Sequence, residues 1–348
     1  MDGLSVDITR QWKEFALKVD FTVNQGCLGI LGASGSGKSM TLKMIAGIVT
    51  PNDGYIQHGD TIFFHKNQKQ NLAIQKRKVG YLFQNYALFP NMNVRENIAV
   101  GMLGTRQQKE KEVLRMIHRF QLEGLEERYP NQLSGGQQQR TALARILASK
   151  PEVLLLDEPF SAMDSYLKEE LQIKLALELK QFSGITILVS HNRDEIYQLC
   201  DKTMIIHNGR NLICEDTKQL FKQPKYVEAA RLTGCKNISK ALRIGEHRVK
   251  ALDWGIELEV EQDIPFNLSY IGVRAHDIIP IDTSFGNTGD NIIEVLIKEE
   301  VHTPFERTIL FQNSSNPRGM LWMKMEQSKK EIPKYVKIEP EKVLLLIE

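Results

Sequence analysis

At 348 residues the chain is longer than a single hydrophobic core usually holds, so two domains are expected. Its composition, 42% hydrophobic and 25% charged with no low-complexity tract, excludes a disordered or fibrous chain. Lysine plus arginine at 45 nearly balances aspartate plus glutamate at 43, a formal net charge of +2 that argues against a nucleic-acid binder held by net charge.

The four cysteines, Cys27, Cys200, Cys214 and Cys235, form no CxxC pair and so indicate neither a zinc knuckle nor a redox motif; isolated thiols suit a reducing compartment. Residues 1–20 interleave charges with apolar side chains, unlike a secretory signal. Nothing approaches the roughly 20 apolar residues that a spanning helix requires.

In chain order, Phe15, Leu17, Val19, Phe21 and Val23 alternate with mostly polar residues, the period of a strand with one buried face. Cys27 to Leu31 is a short apolar run leading into a glycine-rich loop. Behind the loop, Leu42, Ile45 and Ala46 recur at helical spacing up to Gly47, with Pro51 soon after. Val79 to Phe83, Val153 to Leu156 and Ile185 to Val189 are apolar almost throughout, as parallel strands covered on both faces tend to be. Between the first two of these, Asn93 to Lys150 reads as mostly helical, with Val113, Ile117 and Phe120 on one stripe and Leu143, Ile146 and Leu147 on another. The expected fold class is therefore α/β, a parallel-sheet core carrying a helical insert. After Gly234 the pattern changes to short alternating runs, such as Ile256, Leu258 and Val260 against Glu257, Glu259 and Glu261. A small all-β, OB-like domain is expected there, which divides the chain into 1–235 and 236–348.

Three segments carry chemistry. Gly32-Ala33-Ser34-Gly35-Ser36-Gly37-Lys38-Ser39 fits the P-loop pattern and lies between a strand and a helix. Its glycines let successive backbone N–H groups converge on phosphate oxygens at a helix N-terminus. Lys38 supplies charge to the β- and γ-phosphates, and the Ser39 hydroxyl is a ligand for Mg²⁺. Asp157 and Glu158 follow the apolar run Val153 to Leu156, and two carboxylates ending a buried strand require partners or work. Beside a P-loop, Asp157 is the expected second Mg²⁺ group and Glu158 the base that polarises the attacking water. Leu133-Ser134-Gly135-Gly136-Gln137 opens a further helix with a hydroxyl and two glycine amides, a second anion-seeking end whose plainer reading is an N-cap on Ser134.

With these strings in this order, the chain resembles the ABC ATPases, whose signature is the LSGGQ segment. The resemblance implies ATP and Mg²⁺ as ligands and a head-to-tail homodimer in which the Ser134 end of one copy completes the site of the other. It implies a glutamine at Gln84 that reaches Mg²⁺ and water, a D-loop at Ser161-Ala162-Met163-Asp164 and a switch histidine at His191 that contacts the γ-phosphate. Met40 stands where a second hydroxyl is common, and either Trp12 or Phe15 is the aromatic that stacks on adenine. Gly80 to Pro90 and Ser190 to Glu195 are typical of bacterial importer ATPases, and Gly272 to Ile278 is similar to a segment of the accessory β-domain of the molybdate and sulfate members. The implied role is the motor of a molybdate importer, with sulfate as alternative cargo, bound to permease subunits at the cytoplasmic face of the membrane and indirectly to a substrate-binding protein. A soluble ABC ATPase acting on ribosomes or nucleic acid is the rival from another class. Glu257, Glu259, Glu261 and Asp263 make the tail a poor surface for phosphate backbones, and no nucleic-acid partner is expected.

Overall fold

The structure is a computed structural model that describes residues 3–161, 165–281, 290–328 and 333–348. The chain forms two compact units, 1–217 and 218–348.

In the first unit the elements in chain order are β1 (Leu4–Gln11), β2 (Ala16–Val23), β3 (Gly26–Leu31), α1 (Lys38–Ala46), β4 (Asp53–His58), β5 (Thr61–His65), β6 (Gln70–Asn71) and β7 (Val79–Leu82). They continue with α2 (Val94–Ala99), α3 (Arg106–Arg119), α4 (Gly135–Ala148), β8 (Val153–Asp157), α5 (Ser165–Gln181), β9 (Ile185–Ser190), α6 (Arg193–Leu199), β10 (Lys202–His207) and β11 (Arg210–Asp216). The strands make one sheet of eleven among the described residues, in the order β6-β5-β4-β1-β2-β11-β10-β3-β9-β8-β7. From β10 to β7 every pairing is parallel, and here the strands are apolar on both faces: all five residues of β8 and all six of β9 are buried. From β6 to β2 the pairings are antiparallel, and β2, which joins β11 in parallel, keeps the alternation expected of it, with Leu17, Val19, Phe21 and Val23 buried and their neighbours exposed. The parallel α/β core with its helical insert is thus present, and the sheet is wider than the apolar runs suggested because β1, β4–β6, β10 and β11 are added to it.

The helical insert is punctuated by side-chain capping. Asn93 with Glu96, Thr105 with Gln108 and Ser134 with Gln137 each form a reciprocal box, the first residue accepting from the backbone N–H three positions on and the third returning the bond. Such boxes satisfy amide groups that the first turn of a helix leaves unpaired, at about 1 kcal/mol each. No helix among the described residues is long and apolar enough to cross a membrane.

The second unit begins with α7 (Thr217–Lys222), whose first residue closes the first unit, and α8 (Val227–Leu232). Then come β12 (Asn237–Arg243), β13 (Arg248–Ala251), β14 (Ile256–Glu259), β15 (Tyr270–Val273), β16 (Ile278–Ile281), β17 (Ile292–His302), β18 (Glu306–Asn313), β19 (Leu321–Glu326), β20 (Tyr335–Ile338) and β21 (Leu344–Leu346). Among the described residues they form two five-stranded antiparallel sheets, β14-β13-β12-β15-β21 and β16-β20-β17-β18-β19, around a core that includes Trp254, Ile271, Ile309, Phe311 and Met323. The division falls at 217/218 and not near 235. Ala230 of α8 packs with Cys235, Leu344 and Leu346, and Arg274 donates to the carbonyls of Thr233 and Phe221, so the helices before residue 235 belong with the strands after it. The acidic alternation of β14 is matched across the ladder: Glu257 pairs with Lys250 and Glu259 with Arg248, both at 3.2 Å.

One buried cation ties the phosphate-loop helix to the sheet. Arg77 is 1% exposed and donates to the carbonyls of Met44 (3.1 Å) and Ile45 (2.8 Å) at the end of α1, and also to Leu72 O and Asn71 Oδ1. Burial lowers the pKa of its guanidinium to about 10, still charged at neutral pH. Gly47, the left-handed cap of α1 at φ 86°, lies so near that a Cβ there would sit 2.7 Å from the guanidinium carbon. Replacing Arg77 with Met removes its donors from these carbonyls and leaves Met44 O with only the N–H of Gly47. It should lower stability to urea by about 2–3 kcal/mol; an unchanged unfolding midpoint would show that the cap carries no weight.

Candidate functional site

The parallel strands set the place of the site. Because β3, β9, β8 and β7 run in the same direction in neighbouring positions, the loops after their C-terminal ends open on one edge of the sheet, where open α/β sheets bind ligands. Four sequence-expected segments leave the sheet there: the loop 32–37 after β3, Glu158 after β8, His191 after β9 and Gln84 two residues beyond β7.

The loop after β3 turns into α1 through Gly37, which caps the helix at φ 108°. A Cβ at Gly37 would lie 2.4 Å from Leu17 and 3.2 Å from the ring of Phe15, so only glycine fits. Lys38 is 5% exposed, and its ammonium curls back to donate to the carbonyls of Gly32 (2.8 Å) and Ala33 (2.9 Å). Desolvation lowers its pKa, opposed by the charges of Glu158 and Asp157. In the same loop Ser36 is buried and its hydroxyl has no hydrogen-bond partner among the described residues. An orphaned hydroxyl, a buried ammonium and a run of N–H groups at a helix N-terminus suit phosphate oxygens.

Asp157, 6% exposed, ends β8 and is bound on both oxygens: Ser39 Oγ donates to Oδ1 at 2.7 Å and Tyr81 Oη donates to Oδ2 at 2.9 Å. Ser39 and Asp157 are hard oxygen donors of the kind Mg²⁺ selects. Among the described residues there is no cluster of three acidic, histidine or cysteine side chains able to hold a metal. Tyr81 was not singled out in the sequence; burial and then the charge of Asp157 push its phenol pKa far above the ordinary value, so the hydroxyl stays a donor.

Glu158 occupies a left-handed backbone conformation, φ 47°, uncommon for a residue with a side chain. The turn is fixed by Glu158 N–H donating to Val189 O at 2.9 Å and by Ser161 donating to Glu158 O through both its N–H (3.2 Å) and its hydroxyl (3.1 Å). His191 Nδ1 stands 3.2 Å from Glu158 Oε1. The His191 turn is anchored beneath by Ser190, whose hydroxyl donates to Glu195 at 2.5 Å; Lys168 holds the other oxygen of that buried carboxylate at 2.6 Å. Ala162, Met163 and Asp164 of the expected D-loop lie outside the described residues.

Other expected residues stand apart. Gln84 is exposed, and no hydrogen bond joins it to Ser39 or Asp157. Its turn continues through Tyr86 and Ala87, at φ 59° and 42°, whose carbonyls accept from Arg145 of α4 at 3.0 and 2.8 Å. Arg145 also lies over the ring of Phe89 at 5.4 Å. Ser134 and Gly135 are exposed, Gly136 is buried, and the bonds of Ser134 and Gln137 are those of the capping box, with none to the P-loop. Met40 packs against the core cluster and brings no polar contact to the site. Phe15 lies one residue before β2 and is half-buried, in a turn where Trp12 N–H donates to Phe15 O at 2.8 Å, so it is not part of the strand's buried face. The Trp12 and Phe15 rings meet at 5.9 Å, and Phe15 lines a cleft of about 440 Å³ together with Ala33 to Ser36, His207 and Arg210.

Fold and site together define the P-loop nucleotide-binding class. Residues 17–161 match the family model for the ABC transporter. A sulfate/thiosulfate import ATP-binding protein of Brucella melitensis is 35% identical over 294 residues, covering 81% of this chain and 80% of that protein. A spermidine/putrescine import ATP-binding protein of Clostridioides difficile is 31% identical, covering 91% and 89%. Two ferric-ion import ATP-binding proteins of Haemophilus influenzae are 41% and 40% identical over 220 residues, and the matches span 62% and 61% of those proteins' lengths. Among solved structures, cbiO1 of Clostridium perfringens, part of an ABC transporter complex, superposes with a TM-score of 0.56 at 26% identity, covering 64% of this chain and 91% of that one. The ATP-binding cassette MJ0796 shares the fold at a TM-score of 0.53 and 24% identity, over 62% of this chain and 98% of that one. The chain belongs to the ABC transporter family, among its ATP-binding proteins.

Arg145 generates a prediction at this edge. Replacing it with Met removes both donors from the left-handed turn after Gln84. Amide hydrogen exchange at 85–89 should then accelerate roughly tenfold, the loss of about 1–2 kcal/mol of local stability. Unaltered exchange would mean that the turn holds itself.

Proposed function

We propose that the chain hydrolyses ATP as the motor subunit of an ABC importer, working as a head-to-tail homodimer attached to membrane permease subunits. The observation that supports this most directly is the convergence at one sheet edge: Lys38 and Ser39 from the loop helix, Asp157 bonded to Ser39, and Glu158 paired with His191.

In this reading the loop 32–37 and Lys38 cradle the phosphates, and the half-buried pair Trp12 and Phe15 beside the loop receives the base. Ser39 and Asp157 hold Mg²⁺, with Gln84 reaching it when its turn moves inward. Mg²⁺, when bound, neutralises charge on the β- and γ-phosphate oxygens. Glu158 accepts the proton of the attacking water, and its strained backbone aims the carboxylate outward from the strand end. His191, in contact with the same carboxylate, fixes that orientation and meets the γ-phosphate. Ser134, Gly135, Gly136 and Gln137 present N–H groups to the phosphates of the second copy, which explains why this end is exposed and bonded only within its own cap.

Importer direction is supported by the import ATP-binding proteins aligned over most of the chain, and a place at the cytoplasmic face of the membrane goes with that reading. For the cargo we keep an oxyanion. Sulfate is supported by the sulfate/thiosulfate relative, and molybdate by the overall resemblance of the chain to the molybdate and sulfate members. A substrate-binding protein would deliver it to the permease.

Replacing Glu158 with Gln should leave ATP affinity within about twofold and lower turnover by 10²- to 10⁴-fold or so, the usual worth of a general base; undiminished hydrolysis would assign the base elsewhere. Replacing Lys38 with Ala should instead abolish tight nucleotide binding, and full affinity in equilibrium titration would remove the loop from the site.

A further inference from the structure

We propose that Tyr81 is a positioning residue for the metal-binding carboxylate, holding one oxygen of Asp157 so that the other faces Ser39. The inference rests on the reading of Ser39 and Asp157 as the pair that meets Mg²⁺ and ATP.

The geometry is specific to adjacent parallel strands. Tyr81 of β7 pairs in register with Leu155 of β8, so its side chain extends along the strand direction toward Asp157, two residues further on. There the hydroxyl donates to Oδ2 at 2.9 Å. Its ring cannot swing freely: it packs against the core cluster and lies 4.3 Å from the ring of Phe83. A carboxylate turns easily about its last torsion, and Ser39 cannot prevent this once its own hydroxyl turns to a metal ion. A second donor, on a different strand and tied to the core, keeps Oδ1 directed at Ser39 whatever that hydroxyl does. Outer partners of this kind fix the orientation of metal ligands elsewhere. The chain leaves this strand after Leu82 and reaches Gln84 two residues on, so Tyr81 and the turn at Gln84 lie on one short stretch of backbone.

The test uses the full chain and the variant Tyr81→Phe, which removes one oxygen and keeps the ring. Binding of a fluorescent ATP analogue is titrated in EDTA and then against Mg²⁺, with Mn²⁺ bound at saturating nucleotide followed by electron paramagnetic resonance. The Mg²⁺ and Mn²⁺ half-saturation points should rise on the order of tenfold, while affinity for the metal-free nucleotide stays the same. Tyr81→Met, which removes the ring as well, should show the same metal shift together with a lower thermal midpoint. Unchanged metal half-saturation in Tyr81→Phe overturns the role of Tyr81, as does a shift confined to Tyr81→Met, which would trace the effect to packing. If the wild-type chain binds nucleotide with no dependence on Mg²⁺, the reading of Ser39 and Asp157 falls first, and the role of Tyr81 with it.

Discussion

A carboxylate at the end of a wholly buried strand has to be given hydrogen bonds, and the arrangement of the first unit follows from meeting that demand at Asp157. Four apolar residues precede it in β8, and the bonds come from two directions: Ser39 from the phosphate-loop helix and Tyr81 from the neighbouring strand. An unpaired buried charge would cost several kcal/mol. The same two bonds fix where α1 begins relative to β8 and β7, and α1 is held at its other end by Arg77. The loop 32–37 is therefore fastened at both ends of its helix, leaving Lys38 and Ser36 as polar groups whose natural partners are phosphate oxygens.

The helical insert stands in a different relation to the chemistry. Its exposed Ser134 end has its own capping box and no bond to the P-loop, so within one chain the two anion-seeking helix ends are energetically separate. Arg145 of α4, eleven residues along from Ser134, grips the turn after Gln84 through two carbonyls. If the Ser134 end meets a second copy, as proposed, α4 joins that contact to the turn after Gln84 through a single helix.

Much of this was legible in the sequence, for physical reasons that differ by element. The strands β3, β7, β8 and β9 are apolar on both faces, and that continuous signal survives without a partner sequence; the P-loop between β3 and α1 needs only residue type and spacing. The antiparallel strands β1, β4, β5 and β6 were passed over because short, half-exposed runs such as Asp53–His58 carry little apolar periodicity of their own. The change of texture suggests a boundary near 235, but helix 227–232 packs against Leu344 and Leu346 more than a hundred residues on, and Phe221 of helix 217–222 accepts from Arg274. Phe15 fitted a period-two pattern, yet the turn with Trp12 removes it from the strand. Tyr81, Arg145 and the Ser190–Glu195–Lys168 anchor are cross-element contacts, which no local pattern encodes.

The central claim is that a working site is shared, with the P-loop edge of one copy closed by the Ser134 end of another. The most direct measurement is complementation: a chain carrying Lys38→Ala is mixed with one carrying Ser134→Arg, and ATP hydrolysis is followed. Each variant alone should be inactive. The mixture should recover activity, because one of its two sites combines an intact P-loop from the second chain with an intact signature end from the first. A mixture no more active than its components, with mixed dimers shown to form, would mean that each chain carries its site entire and would contradict the account.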